Sequence, residues 1–334
     1  MKEEIGVAIF GAGAVAHTHA VALQQSGGAK ITGVFSLGTF RGKSLAAKTF
    51  SKVYSTIDEA LSDGNVDAVD ICLPMDDRGQ AFTKAVDSGK HVLCEPPLGS
   101  TLQEFDRMID HAKKEGVRVM LAHWTSFSPQ LASYARYLNE QMVVGEERIG
   151  RIYWLTSSCR WKKQYETTSE NALGFLSHPV HFARSLVRSE LKNVYALTQS
   201  CNKSGVIDFY DLGMAFEDTT IFLEAGWCMP KTYEPRIAVD FAGTKGTFIM
   251  DNRANASIQA YDSSRYLSVV PSMQQWSLAS DEDAGYLREV KQFIEYVRNG
   301  KEPSVTMGEA RKSMEVALAA LESANRLEAI AVAR

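Results

Sequence analysis

The sequence predicts an α/β protein with two parts: an N-terminal domain built on a parallel, doubly wound sheet, and an α+β domain with an open, mostly antiparallel sheet. Short apolar runs alternate with helical patterns up to about residue 125, as in parallel strands joined by helices. Farther along, the apolar runs are longer and alternate with polar residues. The 334 residues also exceed what one hydrophobic core usually holds. We therefore expect domains at residues 1–125 and 126–334, with the C-terminal helix able to pack back on the first domain.

The individual elements follow from hydrophobic periodicity and from the turn residues between them. In the first domain we predict strands at Ile5–Phe10, Lys30–Ser36, Asp67–Leu73, His91–Cys94 and Val117–Ala122. Helical patterns lie between them at Val15–Gln25, Gly42–Phe50, Thr56–Ser62, Arg78–Ser88 and Thr101–Glu115. In the second domain we predict strands at Ile149–Arg160, Val194–Ser200, Glu217–Trp227, Ile237–Phe241 and Thr247–Met250. Helices are predicted there at Pro129–Gln141, Pro179–Val187, Asp283–Arg298 and Met307–Leu327. The residues Thr244, Lys245 and Gly246 between the last two strands indicate a hairpin.

The turn after the first strand carries the strongest functional signal. Gly11, Gly13 and Ala16 form the pattern G-x-G-x-x-A between a strand and a helix, which is typical of a Rossmann dinucleotide-binding unit. Gly11 permits the tight turn, Gly13 lets the backbone approach a pyrophosphate, and Ala16 lets the helix pack closely on the strand. The pyrophosphate would contact the free N–H groups at the helix start, around Ala14 and Val15, where the helix dipole favours anions. The alternative is a turn with a structural role only.

The end of the second predicted strand bears on the choice of cofactor. An acidic residue there would accept hydrogen bonds from the adenosine ribose and repel a 2′-phosphate. This chain has no acid at that place and has Ser36, Thr39 and Arg41 instead. The hydroxyls can donate to a phosphate and the guanidinium can neutralise it. We therefore expect NADP, with NAD as the alternative.

Composition excludes several classes of function. The net charge of -4 argues against nucleic acid or an anionic membrane as the main partner. No apolar run is long enough to span a membrane, and the N-terminus lacks the apolar core of a signal peptide. The five cysteines are scattered without a C-x-x-C pair, and Cys72 and Cys94 lie in apolar runs. We expect buried thiols in a protein of the reducing cytoplasm.

A series of motifs resembles the Gfo/Idh/MocA family of NAD(P)-dependent oxidoreductases. In chain order they are the glycine turn, His19, Leu73-Pro74, Glu95-Pro96-Pro97, the segment 122–129 with His123 and Trp124, His181, Glu217-Asp218 and the segment 243–247. The resemblance implies a Rossmann domain joined to an open-sheet domain, with cofactor and substrate in a cleft between them. It implies sugars, inositols and related polyols or their keto forms as substrates. It also implies that Leu73, Pro74, Glu95, Pro96 and His123 lie near the cofactor, while buried structural roles are equally open for His123 and Trp124. We expect a homodimer or homotetramer through the C-terminal sheet.

Two departures from the family pattern concern proton transfer. The family motif is Glu-Lys-Pro, and its lysine supports the acid/base step, but Pro96 stands at the lysine position here. The family helix bears an aspartate four residues before the histidine and often a second acid three residues after it. Here Ser177 and Arg184 occupy those positions around His181. The chain therefore has the family's scaffold motifs but lacks most of the expected proton-relay residues.

The remaining candidates for acid/base chemistry are two histidines. His181 matches the family histidine, and an unperturbed imidazole titrates near pH 6.5, which suits proton exchange with a carbonyl or alcohol. His178 precedes Pro179, which suits the first position of a helix, so we expect His178 at the helix start. In the alternative, His178 caps the helix and His181 packs in the core. The sequence offers the pair no third ligand nearby, and we predict no metal site.

A second cluster follows the first long strand of the C-terminal domain. Arg160 and Lys163 could clamp a carboxylate or phosphate of the substrate, and Tyr165 could supply a second proton-transfer group. In the alternative, these are charges of a solvated loop.

Together these features favour an NAD(P)-dependent oxidoreductase that moves hydride to or from a sugar-, cyclitol- or imine-like molecule. Three consequences of Pro96 stay open: proton transfer through His178, Tyr165 or water; an already protonated imine as substrate; or loss of dehydrogenase activity. The last option belongs to the alternative function, a cofactor-binding regulatory or scaffold protein.

Overall fold

A computed structural model describes residues 4–140, 144–145, 148–157, 169–201, 206–230, 232–233, 235–252, 258–262, 266–269 and 278–332. The chain divides into two compact units. One comprises Met1–Ser128 with Glu282–Lys312, and the other comprises Pro129–Asp281 with Ser313–Arg334. Each holds one sheet, and the two C-terminal helices are shared between them. The predicted domain limits, 1–125 and 126–334, stay a prediction, and residues 282–312 group with the first unit.

The first unit contains a six-stranded parallel sheet with the strand order β3-β2-β1-β4-β5-β6. Its strands are β1 Ile5–Phe10, β2 Ala29–Phe35, β3 Lys52–Tyr54, β4 Ala68–Ile71, β5 His91–Cys94 and β6 Val119–Leu121. Every residue of β1 and β4 is buried, as expected for central strands covered on both faces. The order is that of the doubly wound dinucleotide-binding fold, so the predicted class is confirmed. The edge strand β3 was not predicted because it has three residues, two of them exposed.

The helices of this unit connect the parallel strands. They are α1 Ala14–Gln25, α2 Thr39–Thr49, α3 Ile57–Ser62, α4 Met75–Asp87, α5 Leu102–Lys114 and the short α6 Trp124–Phe127. Thr56 and Thr101 cap α3 and α5, because their hydroxyls accept hydrogen bonds from the N–H groups of Glu59 and Glu104 at 3.0 and 3.1 Å. In contrast, α1 and α2 follow Gly13 and Gly38, and no side chain caps either helix.

The second unit contains a nine-stranded sheet with the order β14-β13-β12-β11-β7-β10-β9-β8-β15. Its strands are β7 Arg148–Ser157, β8 Leu191–Gln199, β9 Phe209–Phe216, β10 Thr219–Met229, β11 Arg236–Ala242, β12 Gly246–Asp251, β13 Ile258–Asp262, β14 Tyr266–Val269 and β15 Ile330–Ala331. The β7–β10 pair is parallel, and the other described pairs are antiparallel. The open, mostly antiparallel sheet is confirmed, as is the hairpin between β11 and β12.

The prediction missed β9, β13, β14 and β15, and it began one helix ten residues too late. In β9 the buried residues alternate with half-buried or exposed ones, but Asp211 and Gly213 weaken the local strand preference. The described residues also form four further helices: α7 Pro129–Glu140, α8 Ser169–Ser185, α9 Leu278–Asn299 and α10 Met307–Arg326. Helix α8 therefore begins ten positions before Pro179, which lies inside it.

His178 is thus an interior residue of α8 and not the helix start that we predicted. A proline in a helix interior removes one backbone hydrogen bond. The buried side chains of Leu173, Leu176 and Val180 hold this helix in the core of the second unit, and this tertiary packing outweighs the local preference of Pro179.

Candidate functional site

The predicted cofactor residues of the first unit collect at one edge of the parallel sheet. Gly11 follows β1, Ser36 follows β2, Leu73 comes shortly after β4, Glu95 follows β5 and His123 comes shortly after β6. Because the strands are parallel, their carboxyl ends lie on the same side, and ligands of such sheets bind outside that edge.

The geometry of the glycine turn fits a pyrophosphate. Gly11 has φ +125°, and a Cβ there would lie 2.5 Å from the carbonyl oxygen of Cys72, so only glycine fits. At Gly13 a Cβ would meet nothing within 4 Å, so the backbone borders open space. Ala14 is exposed and Val15 half-buried at the start of α1. With no side-chain cap on this helix, its first N–H groups can bind an anion.

The loop after β2 is exposed, as a site for the adenosine ribose requires. Ser36 is half-buried and accepts a hydrogen bond from the N–H of Gly38 at 3.3 Å. Thr39 and Arg41 are exposed in the first turn of α2, which contains no acidic residue. The expected preference for NADP stays a prediction.

Arg78, which no sequence motif marks, connects the turns after β4 and β5. Its Nε donates to the carbonyl oxygen of Leu73 at 2.7 Å, and its Nη1 donates to the carbonyl oxygen of Pro96 at 2.7 Å. Leu73 is buried and Pro74 exposed directly before α4, and the Pro96–Pro97 peptide bond is cis. One side chain therefore holds the Leu73-Pro74 and Glu95-Pro96 segments in register.

Beneath this edge lies a buried cluster around His19, which is not exposed at all. Its Nδ1 lies 2.9 Å from Oδ2 of Asp70, and its Nε2 lies 3.1 Å from Oε1 of Glu95. An oxygen of Glu289, a residue of α9, lies 3.9 Å from the same Nε2. The structure therefore places the carboxylate of the predicted cofactor residue Glu95 against an imidazole.

The charges of this cluster compensate one another. Burial disfavours the cation of His19, but the nearby Asp70 and Cys72 outweigh it, so the pKa of His19 lies well above its ordinary value. Burial raises the pKa of Glu289 well above its ordinary value, and the carboxylates of Glu95 and Asp70 raise it further against the effect of His19. Both shifts favour the protonated forms of the two side chains. The sequence signal that could have revealed this cluster is Asp70, an acidic residue within a buried strand.

Two cysteines lie near this edge, Cys72 and Cys94. Cys94 is fully buried, as predicted, and burial raises the pKa of its thiol to about 12. Cys72 is only partly buried, contrary to the prediction, because it follows the last residue of β4.

His123 and Trp124 lie at the start of α6 and are both buried. The ring of Trp124 stacks on that of Tyr286 with 6.0 Å between the ring centroids. Tyr286 also contacts the ring of His19, at 5.1 Å. Trp124 therefore has a packing role, which was one of its two expected roles, and the role of His123 at the cofactor stays a prediction.

In the second unit, the predicted catalytic residue His181 is buried and hydrogen-bonded. Its Nδ1 lies 2.9 Å from Oγ of Ser313, a residue of α10. Nη1 of Arg184 donates to the same oxygen at 2.9 Å. Because that oxygen accepts from Arg184, its own hydrogen can point to Nδ1, which favours the tautomer of His181 with the proton on Nε2.

Burial, Arg184 and His178 lower the pKa of His181 to about 3. His181 is therefore neutral near pH 7, and the titration near pH 6.5 that we expected for it is wrong. The expectation started from an unperturbed imidazole, whereas the folded protein removes water and adds a guanidinium.

The structure describes only some of the other predicted site residues of this unit. Ser177 occupies the position of the family aspartate and is buried, but its hydroxyl donates to the carbonyl oxygen of Leu173 at 2.7 Å, within its own helix. His178 is half-buried one turn from His181. Arg160, Lys163 and Tyr165 lie outside the described residues.

Comparisons with known proteins agree with this arrangement. A family model described as an oxidoreductase family with an NAD-binding Rossmann fold matches residues 5–123, and a GFO/IDH/MocA C-terminal domain model matches residues 141–249. The chain is 24% identical over 332 residues to myo-inositol 2-dehydrogenase of Thermotoga maritima, and the match covers 95% of each protein.

Solved structures share the fold over the whole chain. GenD2 from gentamicin A biosynthesis, in complex with NAD, has a TM-score of 0.85 at 21% identity, covering 100% of this chain and 98% of GenD2. Levoglucosan dehydrogenase, in complex with NADH and levoglucosan, has a TM-score of 0.84 at 19% identity, covering 99% of this chain and 100% of that enzyme. With the parallel sheet, the glycine turn and both family models in agreement, this chain belongs to the Gfo/Idh/MocA family of NAD-binding oxidoreductases.

Proposed function

We propose that this chain transfers hydride between a nicotinamide cofactor and a sugar- or cyclitol-like molecule. The observation that carries the proposal is the glycine turn, where Gly13 borders open space at the carboxyl edge of the parallel sheet. The substrate class rests on what the relatives are named for, inositol and levoglucosan. A nicotinamide cofactor would supply the hydride acceptor or donor, and the first N–H groups of α1 would bind its pyrophosphate.

We further propose that His181 acts as a neutral hydrogen-bond donor and not as an imidazolium acid. A lowered pKa weakens an imidazole as a base, but its N–H can still polarise a substrate carbonyl oxygen. The proton that this oxygen finally takes up would come from His178, Tyr165 or water, because Pro96 has no proton to give. A protonated imine needs no such donor, so imines belong among the substrates to be tested.

NADP is the proposed cofactor because Ser36, Thr39 and Arg41 can face a 2′-phosphate without an opposing acid. Ser36→Asp would add like-charge repulsion to that phosphate, and we expect it to shift the preference towards NADH. Calorimetric titration of both proteins with NADPH and NADH measures the shift. Tighter binding of NADH by the unmodified protein would refute the choice of NADP.

The function is tested by incubating the purified chain with a substrate panel and following the nicotinamide absorbance. Oxidised cofactor is paired with polyols and inositols, and reduced cofactor with ketoses, ketocyclitols and imines. We expect saturable turnover with at least one member of the panel. Cofactor binding without any turnover would instead support the alternative, a regulatory or scaffold protein, which Pro96 in the lysine position favours.

For assembly, we propose a homodimer or homotetramer through the sheet of the second unit. Tyr195 on β8 and Phe222 on β10 are exposed on either side of Gly213 in one row of the sheet, and Leu197 is exposed on β8 as well. Exposed large apolar side chains on a sheet face are typical of a protein interface. The molar mass from light scattering tests the proposal.

A further inference from the structure

Three potential metal ligands meet at one end of the sheet of the second unit. Gln199 on β8, Phe209 on β9 and Gly226 on β10 are neighbours in register. Cys201 lies two residues beyond β8, Cys228 lies near the end of β10, and Asp208 lies just before β9. The two sulfur atoms and a carboxylate oxygen all lie within 4.8 Å of one another.

The backbone around these residues is fixed by hydrogen bonds. The N–H of Cys201 donates to Oδ1 of Asp208 at 2.8 Å, and the N–H of Asp208 donates to the carbonyl oxygen of Gln199 at 3.1 Å. The N–H of Trp227 donates to the carbonyl oxygen of Asp208 at 3.0 Å. The backbone hydrogen bonds of the sheet therefore hold the three potential metal ligands close together.

We propose that Cys201, Asp208 and Cys228 bind one thiophilic divalent cation of the zinc class. Two thiolates and a carboxylate are ligands that zinc accepts, with bonds of about 2.3 Å to sulfur and about 2.0–2.2 Å to oxygen. Two ligands of such an ion are less than about 4.6 Å apart, so the observed cluster needs only small side-chain adjustments. Asp208 is buried, Cys228 half-buried and Cys201 exposed, so the cation can enter from the side of Cys201 and keep one position for water.

The electrostatics of the cluster favour a cation. A divalent cation stabilises the thiolates and offsets the negative charge that gathers at this point, so its binding releases protons. The three donors lie at or near the ends of three separate strands and leave no motif in the sequence, which is why the sequence predicted no metal site.

A bound cation would cross-link the end of β8 to the end of β10. Because it binds the folded chain and finds no preformed site in the unfolded one, it would raise the thermal stability of the protein. This inference does not depend on the proposed oxidoreductase activity.

The test uses the full chain, reduced and freed of metal with a chelator, and titrates it with Cd²⁺ as a spectroscopic probe. We expect a saturable thiolate-to-cadmium absorption band at one equivalent, which Zn²⁺ removes by competition. Cys201→Ser and Cys228→Ser should each weaken binding by more than about 100-fold, beyond the 10–100-fold typical of outer-shell changes. Asp208→Asn keeps an acceptor for the N–H of Cys201 but loses the charge, and should weaken binding by about 10-fold.

Cys94→Ser is the matched control, because Cys94 is fully buried in β5 of the first unit. It should leave the cadmium band unchanged. Zn²⁺ should raise the Tm of the unmodified chain and of Cys94→Ser, but not that of Cys228→Ser. The proposal is overturned if the unmodified reduced chain shows no saturable band. It is equally overturned if the band persists in the double variant of Cys201 and Cys228, or if Cys201 and Cys228 form a disulfide in aerated protein and the reduced form binds no cation.

Discussion

At Gly13, ligand binding can be separated from folding. A Cβ at this position meets nothing within 4 Å, and glycine is not required there by a positive φ. We expect Gly13→Val to leave the chain folded and to weaken cofactor binding at least tenfold, about 1.4 kcal/mol, because the side chain would occupy the space of the pyrophosphate. Calorimetric titration with NADPH and NADH measures the loss.

Gly64→Val is the control for this change, since Gly64 also has open space around a Cβ but lies away from the carboxyl edge of the sheet. It should bind cofactor normally. Gly11→Val differs from both because its Cβ would collide with the carbonyl of Cys72, and it should lower the yield of folded protein. An unchanged cofactor affinity in Gly13→Val would contradict the proposed nucleotide site.

The hydrogen bond between Ser313 and His181 yields a second prediction at this scale. We expect His181→Ala to lower turnover by about 10²–10⁴-fold with little change in cofactor affinity. Ser313→Ala should lower kcat by about tenfold, because it frees the imidazole to rotate and removes the group that selects its tautomer. Ser313→Thr keeps the hydroxyl and should restore most of the activity. Because the pKa of His181 is lowered to about 3, the pH–rate profile should show no ionisation of this residue between pH 5 and 8.

The pH profile of Ser313→Ala separates a positioning role from a structural one. Burial, Arg184 and His178 lower the pKa of His181, and all three remain in Ser313→Ala. A positioning role should therefore lower kcat without adding an ionisation between pH 5 and 8. Normal turnover by His181→Ala would show that His181 does not polarise the substrate oxygen. Tyr165 or an imine substrate would then explain the activity better.

At the scale of elements, Arg78 joins the helix α4 to the turns after two strands. Arg78→Met keeps much of the side-chain length but leaves the carbonyl groups of Leu73 and Pro96 without this donor. We expect a loss of about 1.5–3 kcal/mol in the free energy of unfolding, typical of hydrogen bonds from a charged group. We also expect weaker cofactor binding, because both turns lie at the carboxyl edge.

Chemical denaturation and calorimetry measure these two effects of Arg78→Met. Arg107→Met on the exposed face of α5 is the control and should stay within about 0.5 kcal/mol of the unmodified chain. If Arg78→Met has the stability and cofactor affinity of Arg107→Met, the hydrogen bonds of Arg78 do not hold the edge together.

For the whole molecule, His181 makes folding stability depend on pH at the acidic side. Its pKa is about 3 in the folded chain and about 6.5 in the unfolded chain. Between these values the unfolded chain binds the additional proton, so stability is fully present above about pH 6.5 and is lost as the pH falls towards 3. One proton corresponds to about 1.4 kcal/mol per pH unit in the steepest part.

Urea denaturation between pH 4 and 8 measures this dependence. His181→Gln removes the titrating group, so its stability should fall less steeply with decreasing pH than that of the unmodified chain. The other titrating groups are common to both proteins and cancel in the comparison. Equal slopes for the two proteins would show that the imidazole is not held in its neutral form by the fold.

Patterns local to the chain determined the fold class, the glycine turn and the family. A few residues are enough to recognise the apolar runs of β1 and β4 and the glycines between β1 and α1. This is so because strand pleat, turn geometry and helix start are local properties. The absence of a lysine at Pro96 is equally visible in the sequence, since a residue type needs no structure to be recognised.

Only the tertiary structure decided the chemical state of the site. Asp70, Glu95 and Glu289 approach His19 from three separate elements, and Ser313 reaches His181 from another helix. Strand order and helix packing determine these contacts, and no spacing along the chain encodes them. Protonation depends on the water and charges that surround a group in space. For this reason the pKa values of two histidines with the same intrinsic pKa shift in opposite directions, upwards at His19 and downwards at His181.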